Sequence, residues 1–192
     1  DLYYACMDGS GDYVPDMAHG RIPVSSASEA MNVIHKVVNY ERNPVSDPTF
    51  YNKGTNCAYY QGYEYNGQTY GSRRFLHTSE EVRSYLVNQG YNIERIYETD
   101  SDLNPTHYQN GYYSDGQAIP TDLLRSNGFQ WDGNQTDIAS SINDGRFFVF
   151  HRDHGYTNAW GWAHPFFVNH PNFNNVQNLS NGRETPVVFS IN

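Results

Sequence analysis

The stretch Arg146-Phe-Phe-Val-Phe-His-Arg-Asp-His-Gly155 decides how this chain is read. Phe147 to Phe150 is an unbroken apolar run, the pattern of a strand buried on both faces in a parallel sheet. It runs straight into His151, Asp153, His154 and Gly155. Just upstream, Thr136 can cap a short helix with Ile138, Ala139 and Ile142 inward, and Gly145 stops it. A helix feeding a buried strand is half of a parallel β-α-β unit.

Working outward, the same alternation recurs. Asn56-Cys-Ala-Tyr-Tyr60 reads as a strand. A helix follows from about Thr78, with Glu80 and Glu81 in its first turn, Val82, Tyr85 and Leu86 inward, and Gly90 as its stop. Asn92-Ile-Glu-Arg-Ile-Tyr97 alternates as the next strand. Pro186-Val-Val-Phe-Ser-Ile191 is a second continuous apolar strand. Nearer the start, Ser26 or Ser28 caps a helix with Ala30, Val33, Ile34, Val37, Val38 and Tyr40 on one side, ended by Asn43-Pro44. Asp1 to Cys6 reads as a short strand of β-formers. Residues 99–134, rich in Asn, Asp, Gly, Tyr and Pro, read as a long connection with little structure of its own. The order predicts an α/β fold with a mainly parallel sheet flanked by helices, in a single domain spanning 1–192.

Composition narrows the function. With 192 residues, 16% aromatic and 17% charged, the chain is too rich in core formers to be disordered. A net charge of -9 argues against nucleic acid as a partner. No apolar run approaches the ~20 residues of a membrane span. The absence of an initiator Met, the low Lys content and two acceptor-type sequons at Asn134 and Asn178 suit a mature exported protein. Cys6 and Cys57 are compatible with a disulfide and read better as two buried thiols.

Ligands of open parallel sheets gather beyond the carboxyl ends of the strands. There His154 would place an imidazole, and Gly155 would offer a backbone N–H to a developing oxyanion. His151 and His154, three apart on a strand, point to opposite faces and do not make a metal pair. His164 and His170 have no recognised ligand spacing either, so no metal is expected in the site. Asp8, Asp12 and Asp16 offer hard oxygens that calcium could use as a structural ion, but they lack the EF-hand spacing and read better as a solvated turn. Arg73 and Arg74 are a surface pair or a reader of a substrate carboxylate. Trp160 and Trp162 line a cleft or pack in the core.

These residues resemble the gingipain-type cysteine peptidases of the caspase-like (clan CD) superfamily. The segment His154-Gly-Tyr-Thr-Asn-Ala-Trp-Gly161 is similar to the family's catalytic His-Gly followed by Ala-Trp-Gly. Asp12 through the Gly20-Arg21 pair to Val24, and the helix running to Asn43, are similar to its early motif. Pro186 to Asn192 resembles the strand that delivers the nucleophile. The resemblance implies a caspase-like three-layer fold and a cysteine endopeptidase needing no cofactor. His154 and Gly155 are then the catalytic pair, and Arg74, Trp160 and Trp162 are substrate contacts. It implies a bacterial protein that is secreted or on the cell surface and acts on peptide or protein substrates. It also implies a C-terminal polypeptide beginning with the catalytic Cys just after Asn192, released by cleavage of that bond, so that 1–192 is an incomplete peptidase domain.

Three departures from the family pattern stand out. Neither Cys6 nor Cys57 lies at the nucleophile's strand end. The region around Arg73 to His77 is basic where arginine-specific gingipains carry an acid, so arginine specificity does not transfer, and acidic or uncharged P1 residues are expected instead. The carboxylate that orients the histidine would fall near Cys57 to Gln61, which has none, leaving Gln61 or a backbone carbonyl to hold the imidazole. The alternative reading is a catalytically silent caspase-like domain with a binding or assembly role.

Overall fold

The computed structural model describes residues 2–109, 116–161, 166–167 and 174–192. Residues 1–44 and 45–192 form two compact units.

In the first unit, residues Leu2–Ala5 form one turn of 3-10 helix and not the expected strand. A strand needs a neighbour to pair with; here the Ala5 carbonyl accepts from the Asp16 N–H at 2.7 Å, and the Asp16 carboxylate takes the Met7 N–H at 2.6 Å. Helix α1 spans Ala27–Arg42 and begins as its capping residues dictate. The Ser26 hydroxyl accepts from the Glu29 N–H at 3.2 Å, and Glu29 reaches back to the Ser25 N–H at 2.7 Å. No residue of α1 is buried, and Ile34 and Val37 on its apolar stripe are exposed.

The second unit carries the sheet. Strands β1 (Lys53–Tyr60), β2 (Gly62–Tyr65), β3 (Gln68–Gly71) and β4 (Asn92–Thr99) precede β5 (Phe148–Arg152). The short β6 (Ala159–Trp160) and β7 (Phe166–Phe167) lead to β8 (Val187–Ile191). Four strands form one parallel sheet in the order β4-β1-β5-β8. Helix α2 (Phe75–Asn88) covers one face, and α3 (Gln135–Asn143) covers the other. On the α2 side Ala58, Tyr60 and Tyr97 pack with Leu76. On the α3 side Cys57, Ile96 and Val149 pack with Ile138 and Ile142. Helix, sheet and helix make the three layers.

Several local readings change. β1 is followed by a β2–β3 hairpin, not directly by a helix, and it turns at Asn66-Gly67, both at positive φ. Helix α2 starts at Phe75, three residues early, and buries Phe75, Leu76, Ser79 and Glu80, leaving Tyr85 exposed. Glu80 is drawn inward by Arg95 at 2.6 Å and by the Tyr97 hydroxyl at 2.7 Å. The cap of α3 is Asn134, in a reciprocal box with Asp137. The described part of residues 99–134 is no idle connection, since Ile119, Leu123 and Trp131 complete the core cluster over Tyr97. β8 is exposed along its whole length, contrary to a strand buried on both faces. It lies at the sheet's edge, and Phe189 faces an open apolar groove of about 470 Å³ with Phe148, Phe150 and Leu86.

Candidate active site

β5 aims the chemistry. Phe148, Phe150 and Arg152 point to the α2 side, and Val149 and His151 to the α3 side, as alternation requires. The strand stops at Arg152, and the chain turns through Asp153 into His154 at the sheet's carboxyl rim.

His154 is fixed from two directions. Its Nε2 lies 3.0 Å from Gln61 Oε1, just past the end of β1. Its ring meets Phe75 edge-on, with centroids 5.1 Å apart. With Gln61 accepting, Nε2 carries the hydrogen and Nδ1 is the basic nitrogen. Gln61 therefore stands where a carboxylate was sought. Behind the ring, the Tyr156 N–H donates to the Ala159 carbonyl and the Gly161 N–H to the His154 carbonyl, both at 2.9 Å, closing a tight loop. The Gly155 N–H carries no hydrogen bond among the described residues. A β-carbon on Gly155 would sit 2.7 Å from Nδ2 of Asn192, so the loop presses directly on the end of β8.

His151 takes a different part. It is 3% exposed, stacks on Trp160 at 4.4 Å, and its Nδ1 is 3.3 Å from the Ser190 hydroxyl. Burial pulls its pKa down to about 4, with Asn192 opposing and the Arg152 charge assisting. His151 and His154 thus face different layers and do not converge on a metal.

Trp160 lies against His151 and Phe166 on the α3 side. Trp162, His164 and His170 lie outside the described residues. Arg74 precedes Phe75 at the start of α2, 3.0 Å from His77 and 4.0 Å from Glu81. Both cysteines are free. Cys57 is buried and its thiol is pushed far up by desolvation and by Glu94, the opposite of an activated nucleophile. Cys6 is only half-buried, its thiol raised by desolvation and by Asp12 and Asp16. The carboxylates of Asp8, Asp12 and Asp16 do converge, within 4.8 Å of one another. Phe75, Arg152 and Asn192 were not singled out from sequence. The signal for Arg152 was parity within the strand, since it shares the side of Phe148 and Phe150.

The family model described as peptidase family C25 matches residues 1–192. The chain belongs to peptidase family C25. Lys-gingipain from Porphyromonas gingivalis, in strain ATCC 33277 and in W83, is 42% identical over 53 residues, which is 28% of this chain and 3% of those proteins. The crystal structure of the Arg specific cysteine proteinase gingipain R (RGPB) matches the whole chain with a TM-score of 0.63 at 20% identity. The complex of Porphyromonas gingivalis RgpB pro- and mature domains matches equally well. This C25 chain spans about a third of those solved chains, at 35% and 36%. The gingipain-like three-layer fold is therefore present, and the family is one of cysteine peptidases.

Proposed function

We propose that residues 1–192 form the histidine-bearing part of a cysteine endopeptidase. The observation that carries this is the imidazole of His154, braced by Gln61 and Phe75 beside an unspent Gly155 N–H, at the tip of a parallel strand. The nucleophile is a thiol on the residue after Asn192. His154 Nδ1 takes the thiol proton, and sulfur attacks the scissile carbonyl. The Gly155 N–H donates to the resulting oxyanion. His154 then returns the proton to the leaving amine, and water hydrolyses the thioester. No cofactor enters these steps.

The exposed β8 edge and the apolar groove beside it support further polypeptide packing there. Arg74 is proposed as a substrate contact, and any calcium held by Asp8, Asp12 and Asp16 is a structural ion and not a catalytic one. Secretion or surface display by a bacterium fits the acidic, Lys-poor chain.

The test is His154→Ala in the natural full-length protein. Loss of peptide cleavage with unchanged circular dichroism is expected. Persistence of cleavage refutes the assignment, and a wild-type protein that cleaves no peptide supports a silent scaffold.

A further inference from the structure

We propose that Arg152 selects an acidic side chain on the substrate residue whose carbonyl is cleaved. This rests on the peptidase reading above and adds the chemistry of the residue accepted.

Arg152 ends β5 on the α2 side, two residues before His154. Its guanidinium carbon lies 4.7 Å from the centroid of Phe75, and the same ring takes the edge of His154 at 5.1 Å. One aromatic ring thus contacts both a flat cation and the imidazole. Nη1 donates to the Ile191 carbonyl at 3.0 Å. That contact ties the cation to the end of β8, where the thiol is proposed to follow. The charge therefore lies between the two strand ends whose residues perform the reaction.

The guanidinium is under-used. Its Nε is buried without an acceptor, and no carboxylate reaches it within ion-pair distance among the described residues. Arg83 and Arg125 are also half-buried without a carboxylate, but each places its Nε on a backbone carbonyl, of Ile93 and Leu103 respectively, and the other half-buried arginines are paired. Arg95 holds Glu80 and Asp122, Arg146 holds Glu94 and Asp144, and Arg74 has Glu81. Burial pulls the Arg152 pKa down, with the field of Asp153 opposing. Asp153 itself lies on the α3 side, lining a small cavity with Cys57 and Trp160 and accepting the His154 N–H. A partly buried cation with spare, coplanar donors is completed by a carboxylate from outside. A substrate Lys or Arg in the same place would meet like charge.

The test compares kcat/KM in the natural full-length protein for peptides alike except for Asp, Glu, Asn, Gln, Ala, Lys or Arg at that residue. Asp or Glu is expected to exceed its own amide by at least about 10-fold, with Lys and Arg poorest. Arg152→Gln brings the acid-to-amide ratio to about 1, because the charge alone distinguishes the pair. Where that variant does not fold, Arg152→Lys serves; it keeps the stem and charge but loses the planar fork, and the ratio drops at least about threefold. Fastest cleavage after Lys or Arg, or a ratio untouched by either substitution, overturns the inference. If no peptide is cleaved, the peptidase reading falls, and calorimetric binding of the Asp and Asn peptides to the same protein decides this inference separately. Tighter Asp binding that Arg152→Gln removes upholds it, and equal binding overturns it.

Discussion

Gly155 abuts the side chain of Asn192 so closely that a single methyl group would come within 2.7 Å of Nδ2 and 2.8 Å of Cγ. The loop after β5 and the end of β8 are therefore in mutual register, and the glycine carries that register as well as an unspent N–H. Gly155→Ala should push the two strand ends apart. A fall in kcat on the order of 10²-fold with little change in KM is expected, because an oxyanion donor and the nucleophile's strand are displaced together. Steady-state kinetics beside a thermal melt would check it, since a large drop in Tm would point to folding instead.

Gln61 contacts His154 from just past the end of β1, the strand beside the one that carries the His-Gly loop. Gln61→Ala should lower kcat about 10- to 100-fold by freeing the ring to adopt unproductive orientations, while KM holds. Gln61→Glu restores an acceptor and should recover most of the loss. An alanine variant as fast as the wild type would mean that the ring is held by Phe75 alone.

His151 offers a pH signature of folding. Its folded pKa is about 4, below the ordinary histidine value near 6.5, so between these values the unfolded chain binds the proton more readily. Its share of stability is intact above pH 6.5 and is lost as pH falls toward 4. The loss amounts to about 3 kcal/mol at most. Urea unfolding at pH 7 and pH 4.5 should show it, and His151→Phe should flatten that part of the difference.

The Glu80-Arg95 pair, bidentate at 2.8 and 2.6 Å, ties α2 to β4, and Asp122 adds a third member. Glu80→Ala leaves the half-buried guanidinium with Asp122 alone and should cost up to about 3–5 kcal/mol, whereas replacing Glu80 and Arg95 together with Leu and Met should cost far less. Equal costs would show that Arg95 finds a substitute partner.

Any calcium binding by Asp8, Asp12 and Asp16 is expected to be weak, with Kd on the order of 10⁻⁴ to 10⁻³ M, given two exposed carboxylates and one half-buried. Asp12→Asn should weaken it further. Calorimetry showing no heat with calcium would remove the ion from the first unit.

The sheet was legible because its inner strands are written as apolar runs. Asn56 to Tyr60 and Phe147 to Phe150 needed only their own composition, and Ser26 and Glu29 marked the start of α1. The neighbourhood of His154 and Gln61 was legible because both follow strands directly, at the rim where the structure brings them within 3.0 Å. What failed depended on partners far along the chain. Glu80 looked like a solvated first-turn acid until Arg95 and Tyr97 met it from β4. Residues around Trp131 looked like loop because their apolar members are spaced irregularly, yet they close a core with Tyr97. Asp1 to Cys6 had the composition of a strand and no neighbour to pair with. Arg152 escaped notice because its ring partner, Phe75, lies 77 positions earlier.

β8 has a further consequence. It combines an outer edge with Val187, Val188, Phe189 and Ile191 all 44% to 50% exposed, and it carries neither charge nor proline to discourage pairing. Such a strand is a template for any extended apolar segment, including its own counterpart on a neighbouring molecule. Residues 45–192 held without cover should therefore lose solubility as concentration rises, by stacking into fibre-like assemblies while still folded.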